Sequence, residues 1–246
     1  MAKLNYSPTH VISLFNDMAR TYGAVNLISS FGFSHLWRKS CVRALALEPG
    51  HQCADLMCGM GEASTLMMKM AKNSPAIHAV DFSPEMTARC RESVSRIRGQ
   101  RVRVETLNVF DLTEKQSYDR ICCSFGLKTF DDAQLHQFAD LIAGLLRPGG
   151  KAAFVEIHVP TNLFLRAPYL FYLRKVIPFI GSLCLGNPDC YRHLALYTED
   201  FAERDFIGLY LREVGLEVDQ KPLFFWLCAT LRDAEKLTDF LKRRSR

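Results

Sequence analysis

From Cys53 onward, short apolar runs alternate with longer stretches in which apolar residues recur every three or four positions. The runs near 52–57, 76–81, 101–107, 118–124 and 151–157 read as strands, and the stretches near 62–72, 84–98 and 132–146 read as helices. Ser83-Pro84 with Glu85 marks a helix start, because serine caps free N–H groups and proline suits the first helical position. Arg147-Pro-Gly-Gly150 punctuates the chain before the fifth strand. Such alternation requires a parallel sheet with helices on both faces. After a further helix near 199–214, the runs 216–222 and 224–231 are separated by almost nothing, which implies a hairpin and an antiparallel last strand.

Composition changes this picture little. The 246 residues, 48% of them hydrophobic, suffice for one α/β domain with a sizeable core. The pattern divides it into a helical cap over 1–50, a core over 51–157, an insert over 160–197 and a C-terminal helix and hairpin over 198–246. The net charge of +5 owes part of its size to the tail Lys242-Arg-Arg-Ser-Arg246, read as a solvated helix end. No basic stripe interleaved with aromatics is evident, so no nucleic-acid partner is expected. Nine cysteines, an odd number without a C-x-x-C pair, indicate neither zinc spacing nor a disulfide framework. No metal site and no catalytic thiol are expected.

The first residues show no apolar segment behind Lys3, so a cytoplasmic location is expected. The most hydrophobic stretch, Asn162 to Leu185, is interrupted by Arg166, Pro168, Arg174, Lys175 and Pro178, which argues against a membrane span. Peripheral contact with a membrane surface, cover for a greasy substrate and an interface in a homodimer are the uses left open for it.

Candidate chemistry concentrates in Ala54-Asp-Leu-Met-Cys-Gly-Met-Gly-Glu62 and, twenty residues after Gly61, Asp81. A strand ending in a glycine turn lets main-chain N–H groups approach a ligand, and an acid closing the next strand can accept both ribose hydroxyls. The first glycine of the dinucleotide pattern G-x-G-x-x-G is replaced by Met57, leaving Gly59-Met60-Gly61. That disfavours a pyrophosphate, which needs close backbone approach, and favours S-adenosylmethionine, which has no phosphate. Asp55 is placed to help hold its cationic amino group.

The chain resembles class I S-adenosylmethionine-dependent methyltransferases, and within them the ubiquinone/menaquinone-biosynthesis C-methyltransferase family. The residues carrying the likeness are 15–22, Ser30-Phe-Gly32 with Trp37-Arg-Lys39, Asp81-Phe-Ser-Pro-Glu-Met86, Ser124-Phe-Gly-Leu127, Arg147-Pro-Gly-Gly150, 176–183 and Tyr191-Arg-His-Leu194. The resemblance implies a Rossmann-like, mostly parallel seven-stranded sheet with an N-terminal helical cap and an insert after strand five. It also implies S-adenosylmethionine as cofactor, S-adenosylhomocysteine as product, and cofactor contacts at Ser64, Asp81, Asn108, Val109 and Ser124. Phe82 suits the adenine face, and an amide such as that of Asn108 can pair with the ring.

The departures fall elsewhere. The family usually has Ala or Gly at position 57, Asp at 23, Arg-Asn at 128–129, Phe-Ser-Lys-Pro at 157–160 and a second Tyr where His193 stands. This chain has Met57, Gly23, Lys128-Thr129 and Ile157-His-Val-Pro160. The expectation is an unchanged cofactor with a different, hydrophobic acceptor, such as a quinone-like, polyketide or isoprenoid metabolite. His158 and His193 are the candidate general bases, with Tyr191 beside them and Tyr22 orienting cofactor or substrate. Phe125, Phe164, Phe171 and Tyr172 are expected to line the acceptor site. Methylation of oxygen or nitrogen, a cyclase that uses the sulfonium only as positive charge, and a non-catalytic binding protein are the alternative readings.

Overall fold

The computed structural model describes residues 4–71, 75–97, 101–160, 162–184, 187–203, 206–223 and 229–236. Three helices, α1 (Pro8–Met18), α2 (Tyr22–Ser29) and α3 (Phe33–Ala44), precede the sheet. Alternation then follows as β1 (Gln52–Leu56), α4 (Glu62–Met70), β2 (Ala76–Asp81), α5 (Pro84–Ser95), β3 (Arg101–Thr106), β4 (Tyr118–Ser124), α6 (Asp132–Leu145) and β5 (Leu146–Ile157). The insert holds α7 (Leu163–Phe171), a π-turn over Tyr172–Val176, α8 (Ile177–Leu183) and α9 (Pro188–Glu203). The chain continues as α10 (Ile207–Glu213), β6 (Leu216–Leu223) and β7 (Ala229–Lys236).

The strands form one sheet in the order β3-β2-β1-β4-β5-β7-β6. Neighbours from β3 through β5 pair in parallel, and β7 is antiparallel to both β5 and β6. Strands β1, β2, β4 and β5 are buried almost throughout, as a sheet covered on both faces demands. One core cluster joins Ala54, Ile121 and Phe154 to Phe138 of α6 and Leu211 of α10. A second, on the opposite face, joins Cys53, Ile77 and Cys122 to Cys41 of α3, Met67 of α4 and Cys90 of α5. A third packs α1 and α2 against Tyr191 and Tyr197 of α9, so the cap rests on the insert.

Sequence and structure differ at three boundaries. The helix expected near 199–214 is two helices, because the buried positions Tyr191, Ala195 and Thr198 already form a helical stripe from Pro188 onward. Strand five begins at Leu146, where pairing with Tyr118 extends it back through the Pro-Gly-Gly segment. The last strand runs 229–236 rather than 224–231; residues 224–228 lie outside the described residues. Its placement is fixed by pairing with β5, from Lys151 with Glu235 to Ile157 with Ala229, which periodicity alone cannot reveal.

Candidate active site

The order of the parallel strands reverses between β1 and β4, and ligands of open α/β sheets sit beyond the carboxyl ends of strands at such a point. Three adjoining hollows open there, of about 420, 500 and 530 Å³. The first and second share Met57, Asp81, Phe82 and Thr129; the second and third share Tyr22 and Phe125. A separate open groove of about 830 Å³ passes Arg212, Asp219 and Glu235 at the start of β6, at the other end of the sheet.

The glycine turn sits under this cavity. Gly61 caps α4 at φ +81°, and a Cβ there would lie 2.6 Å from the Cys90 sulfur, so only glycine fits. Met57 at φ +53° and Phe125 at φ +63° are non-glycine residues in the left-handed region, each just past the end of a central strand. They are matched to their neighbours. A Cβ on Gly126 would lie 2.8 Å from the Met57 methyl, so this chain accommodates methionine at 57 because residue 126 has no side chain.

Asp81 closes β2 and faces the first two hollows. One carboxylate oxygen accepts from the Gly59 N–H at 2.9 Å and the other from the Ser83 N–H at 3.0 Å. Burial pushes its pKa up to about 6, against the lowering effect of these amides. Ser83 joins two elements: its hydroxyl accepts from the Met86 N–H at the start of α5 and donates to the Asn16 side chain of α1 at 2.6 Å. The nucleoside hollow is completed by Val80, Leu107, Asn108, Val109, Phe110 and Phe130, and roofed by Tyr6, Pro8 and Val11 of the N-terminal segment. The Asn108 side-chain oxygen accepts from the Phe110 N–H at 3.1 Å, which turns its NH₂ group to other use.

The middle hollow is bounded by Gly59, Glu62, Arg38, Ser124 and Phe125. Arg38 is 6% exposed, lies 4.8 Å over the Phe125 ring centroid, and has one terminal nitrogen 3.5 Å from Glu62. Its Nε has no hydrogen-bond partner among the described residues. A buried, unsatisfied donor beside an acid fits a zwitterionic amino acid moiety, because carboxylate and ammonium would each find an opposite charge.

The acceptor hollow is lined by Val25 and Asn26 of α2, Ile157, Leu173, Ile177, and Tyr191, Leu194, Ala195 and Thr198 of α9. Lys128 is its charged lining residue. Its ammonium is 2.9 Å from Glu156, and each partner's side chain is 1% exposed. Glu156 also accepts from the N–H groups of Lys128 and Ile157. The Tyr191 hydroxyl bonds that of Thr21 at 2.9 Å.

Of the residues singled out in the sequence, the structure brings Tyr22, Gly59, Asp81, Phe82, Asn108, Val109, Ser124, Phe125 and Tyr191 to the cavity. Asp55, Gly61 and Ser64 lie behind the loop. Asp55 is fully buried: one oxygen accepts from both the N–H and hydroxyl of Ser64, which braces the turn, and the other has no hydrogen-bond partner among the described residues. Burial raises its pKa to about 7.

Neither candidate base lines the hollow. On α9 the cavity side is set by Tyr191, Leu194, Ala195 and Thr198, which leaves His193 on the opposite side, bonded to the Asp189 carbonyl and edge-on to His10. His158, just past the end of β5, is half-buried and lines none of the three hollows. Phe164 and Phe171 are also displaced: they are 90% and 63% exposed, and α7 buries none of its residues. Tyr172 stacks on Phe31 outside the hollow, while the π-turn directs Leu173 and Ile177 inward. Arg38, Glu62, Lys128 and Thr129 were the functional candidates without a site role in the sequence reading. The available signals were a lone arginine beside Trp37, Cys41 and Val42, and the departure at 128–129.

The strand order, the cleft at the β1/β4 switch, the acid closing β2 and the polar middle hollow define a class I S-adenosylmethionine-dependent methyltransferase. A solved magnesium protoporphyrin IX methyltransferase from Synechocystis PCC 6803, crystallised with S-adenosylmethionine, has the same fold, with TM-score 0.62 at 13% identity over 96% of this chain and 99% of that one. The chain belongs to the ubiE/COQ5 methyltransferase family, whose model matches residues 3–230. S-Adenosylmethionine is therefore its cofactor. It is similar to a demethylmenaquinone methyltransferase of Mycobacterium sp. (strain KMS), 30% identical over 79% of this chain and 80% of the relative. One from Alkalihalophilus pseudofirmus is 26% identical over 86% and 90%.

Proposed function

We propose that the protein methylates a ring carbon of an apolar, hydroxylated aromatic acceptor related to the demethylmenaquinone for which its relatives are named. The observation behind this reading is an otherwise uncharged acceptor hollow with Lys128 in its wall, held in place by Glu156 and adjoining the middle hollow across Tyr22 and Phe125.

When bound, S-adenosylmethionine supplies an electrophilic methyl carbon. Asp81 would accept from the ribose hydroxyls, Phe82, Val109 and Phe130 would enclose the adenine, and the Asn108 NH₂ would be the donor for its ring. Arg38 would hold the carboxylate and Glu62 the ammonium. In the acceptor hollow, a ring hydroxyl that has released its proton to solvent raises electron density at the neighbouring carbon, and the Lys128 ammonium offsets charge on that oxygen in a water-poor setting. As that carbon bonds the methyl the S–C bond breaks, its electron pair staying on sulfur, and the proton then lost from the ring carbon restores the aromatic ring. Glu156 fixes where the ammonium points. Leu173, Ile177 and Leu194 hold the ring by burial and exclude water, so catalysis is mainly alignment.

The test is mass spectrometry of the product formed from S-adenosylmethionine and a reduced, short-chain demethylated naphthoquinone, with the labelled methyl located by NMR. A gain of one methyl on ring carbon is expected. A methyl on oxygen, or an isomer of unchanged mass, overturns the reading.

A further inference from the structure

Residues 125–129 join the two ends of the cavity. Phe125 stands just past β4 at φ +63°, and the turn that follows it closes on itself. The Gly126 carbonyl accepts from the Thr129 N–H at 3.0 Å and from its hydroxyl at 2.7 Å, while the Phe125 carbonyl accepts from the Lys128 ammonium. Neighbouring side chains of this turn serve different hollows. Lys128 lines the acceptor hollow, and Thr129 lies where the nucleoside and middle hollows adjoin. Where the turn stands therefore decides where the ammonium stands. On the cofactor side the turn meets Met57. The backbone at Gly126, with φ −96°, suits any residue, so space alone excludes a side chain there: a Cβ would lie 2.8 Å from the Met57 methyl, 2.9 Å from its sulfur and 3.1 Å from its Cβ.

The methionine thus lies along the Gly126 backbone, and the same side chain walls both the nucleoside and the middle hollow. It does so from φ +53°, a conformation that is costly for any residue with a side chain and persists where the surroundings enforce it. We propose that Met57 is a positioning residue for methyl transfer: packed along Gly126, it fixes the turn that presents Lys128 to the acceptor and links that turn to the cofactor site. An unbranched, pliable thioether suits such a contact, because it fills an irregular gap without a polar demand. Removing it leaves a void beside Gly126 into which the turn relaxes, shifting the ammonium from its place. A methyl group added at Gly126 does the reverse and pushes the thioether into the hollows that hold the cofactor. The consequence for Lys128 rests on the acceptor reading above; the contact between Met57 and Gly126 does not.

The experiment is a double-variant cycle in the full chain, read by calorimetry with S-adenosylmethionine and by turnover with the reduced naphthoquinone. Gly126→Ala should weaken cofactor affinity about tenfold, and Gly126→Ala with Met57→Ala should return it to that of Met57→Ala alone. Met57→Ala should lower kcat about tenfold or more with little change in acceptor KM, and Met57→Leu, which keeps bulk beside Gly126, should recover most of it. In a chain already carrying Lys128→Met and Glu156→Gln, Met57→Ala should cost no further turnover. A cooperative thermal transition establishes that each variant is folded, and the Met57 variants decide the matter if Gly126→Ala lacks one. Additive losses of cofactor affinity overturn the proposal. So do a Met57→Ala enzyme with the parent's kcat, a Met57→Leu enzyme as slow as Met57→Ala, and a full further loss in the Lys128 background. The acceptor reading fails separately: normal turnover of the Lys128→Met, Glu156→Gln enzyme removes the lysine from the chemistry, whereas additivity in the calorimeter, where no acceptor is present, removes Met57.

Discussion

The nucleoside end of the cavity is built from strand termini and main-chain N–H groups, whereas the acceptor end is built from side chains of helices in the cap and the insert. At the first, Asp81 is fixed by the amides of Gly59 and Ser83, whose positions follow from the sheet. At the second, Tyr191, Leu173 and Lys128 arrive from three elements whose mutual rotation the sheet does not dictate. Placement of the ribose acceptor is thus a property of the scaffold. Choice of acceptor is a property of what is packed above it.

The most damaging test of this division is Lys128→Met, which leaves Glu156 buried without its cation at a cost of about 3–5 kcal/mol. Thermal unfolding should register the loss, and the double variant Lys128→Met with Glu156→Gln should recover much of it. Turnover of the double variant should remain about 10²–10³-fold low if the ammonium stabilises charge on the acceptor, with cofactor affinity near that of the parent. Normal turnover would remove Lys128 from the chemistry.

Asp81→Ala acts at the opposite end. Two buried N–H groups lose their acceptor and the ribose hydroxyls lose theirs, at about 1–3 kcal/mol, or ~10–100-fold in S-adenosylmethionine affinity. Calorimetry measures it directly. Asp81→Asn, which keeps an acceptor for Gly59, should lose less; equal losses would mean that charge, not geometry, holds the cofactor.

The smallest effect concerns pH. Asp55 has a native pKa of about 7 against an ordinary 3.8, because burial disfavours its charged form. Between these values the native state binds more protons than the unfolded chain, so stability falls as pH rises through that window. The melting temperature should drop by a few degrees from mildly acidic to neutral pH, less steeply in Asp55→Asn. A variant with the parent's slope would place the titration elsewhere, Asp81 at about 6 being the next group.

This division also explains what could be read in advance. Five parallel strands, the glycine turn and Asp81 were legible because each follows from a local pattern: buried runs, a left-handed turn, and an acid one strand later. His193, Phe164 and Phe171 fall away from the hollows because residue type carries no information about which side of a helix faces the cavity. On α9 a shift of two positions separates Tyr191, on the cavity wall, from His193, on the far side. Arg38 and Glu62 were passed over because their pairing spans α3 and α4, with nothing in either segment to announce the other.

The Ser83–Asn16 bond has a double role. The hydroxyl that caps α5 also fastens α1, and the segment leading into α1 covers the nucleoside through Tyr6, Pro8 and Val11. Parting the first helix from α5 on this side would break one hydroxyl–amide bond and withdraw Val11, Leu14 and Met18 from their cluster. One hydroxyl thus ties the roof of the nucleoside hollow to the cap of α5, so the two loosen together.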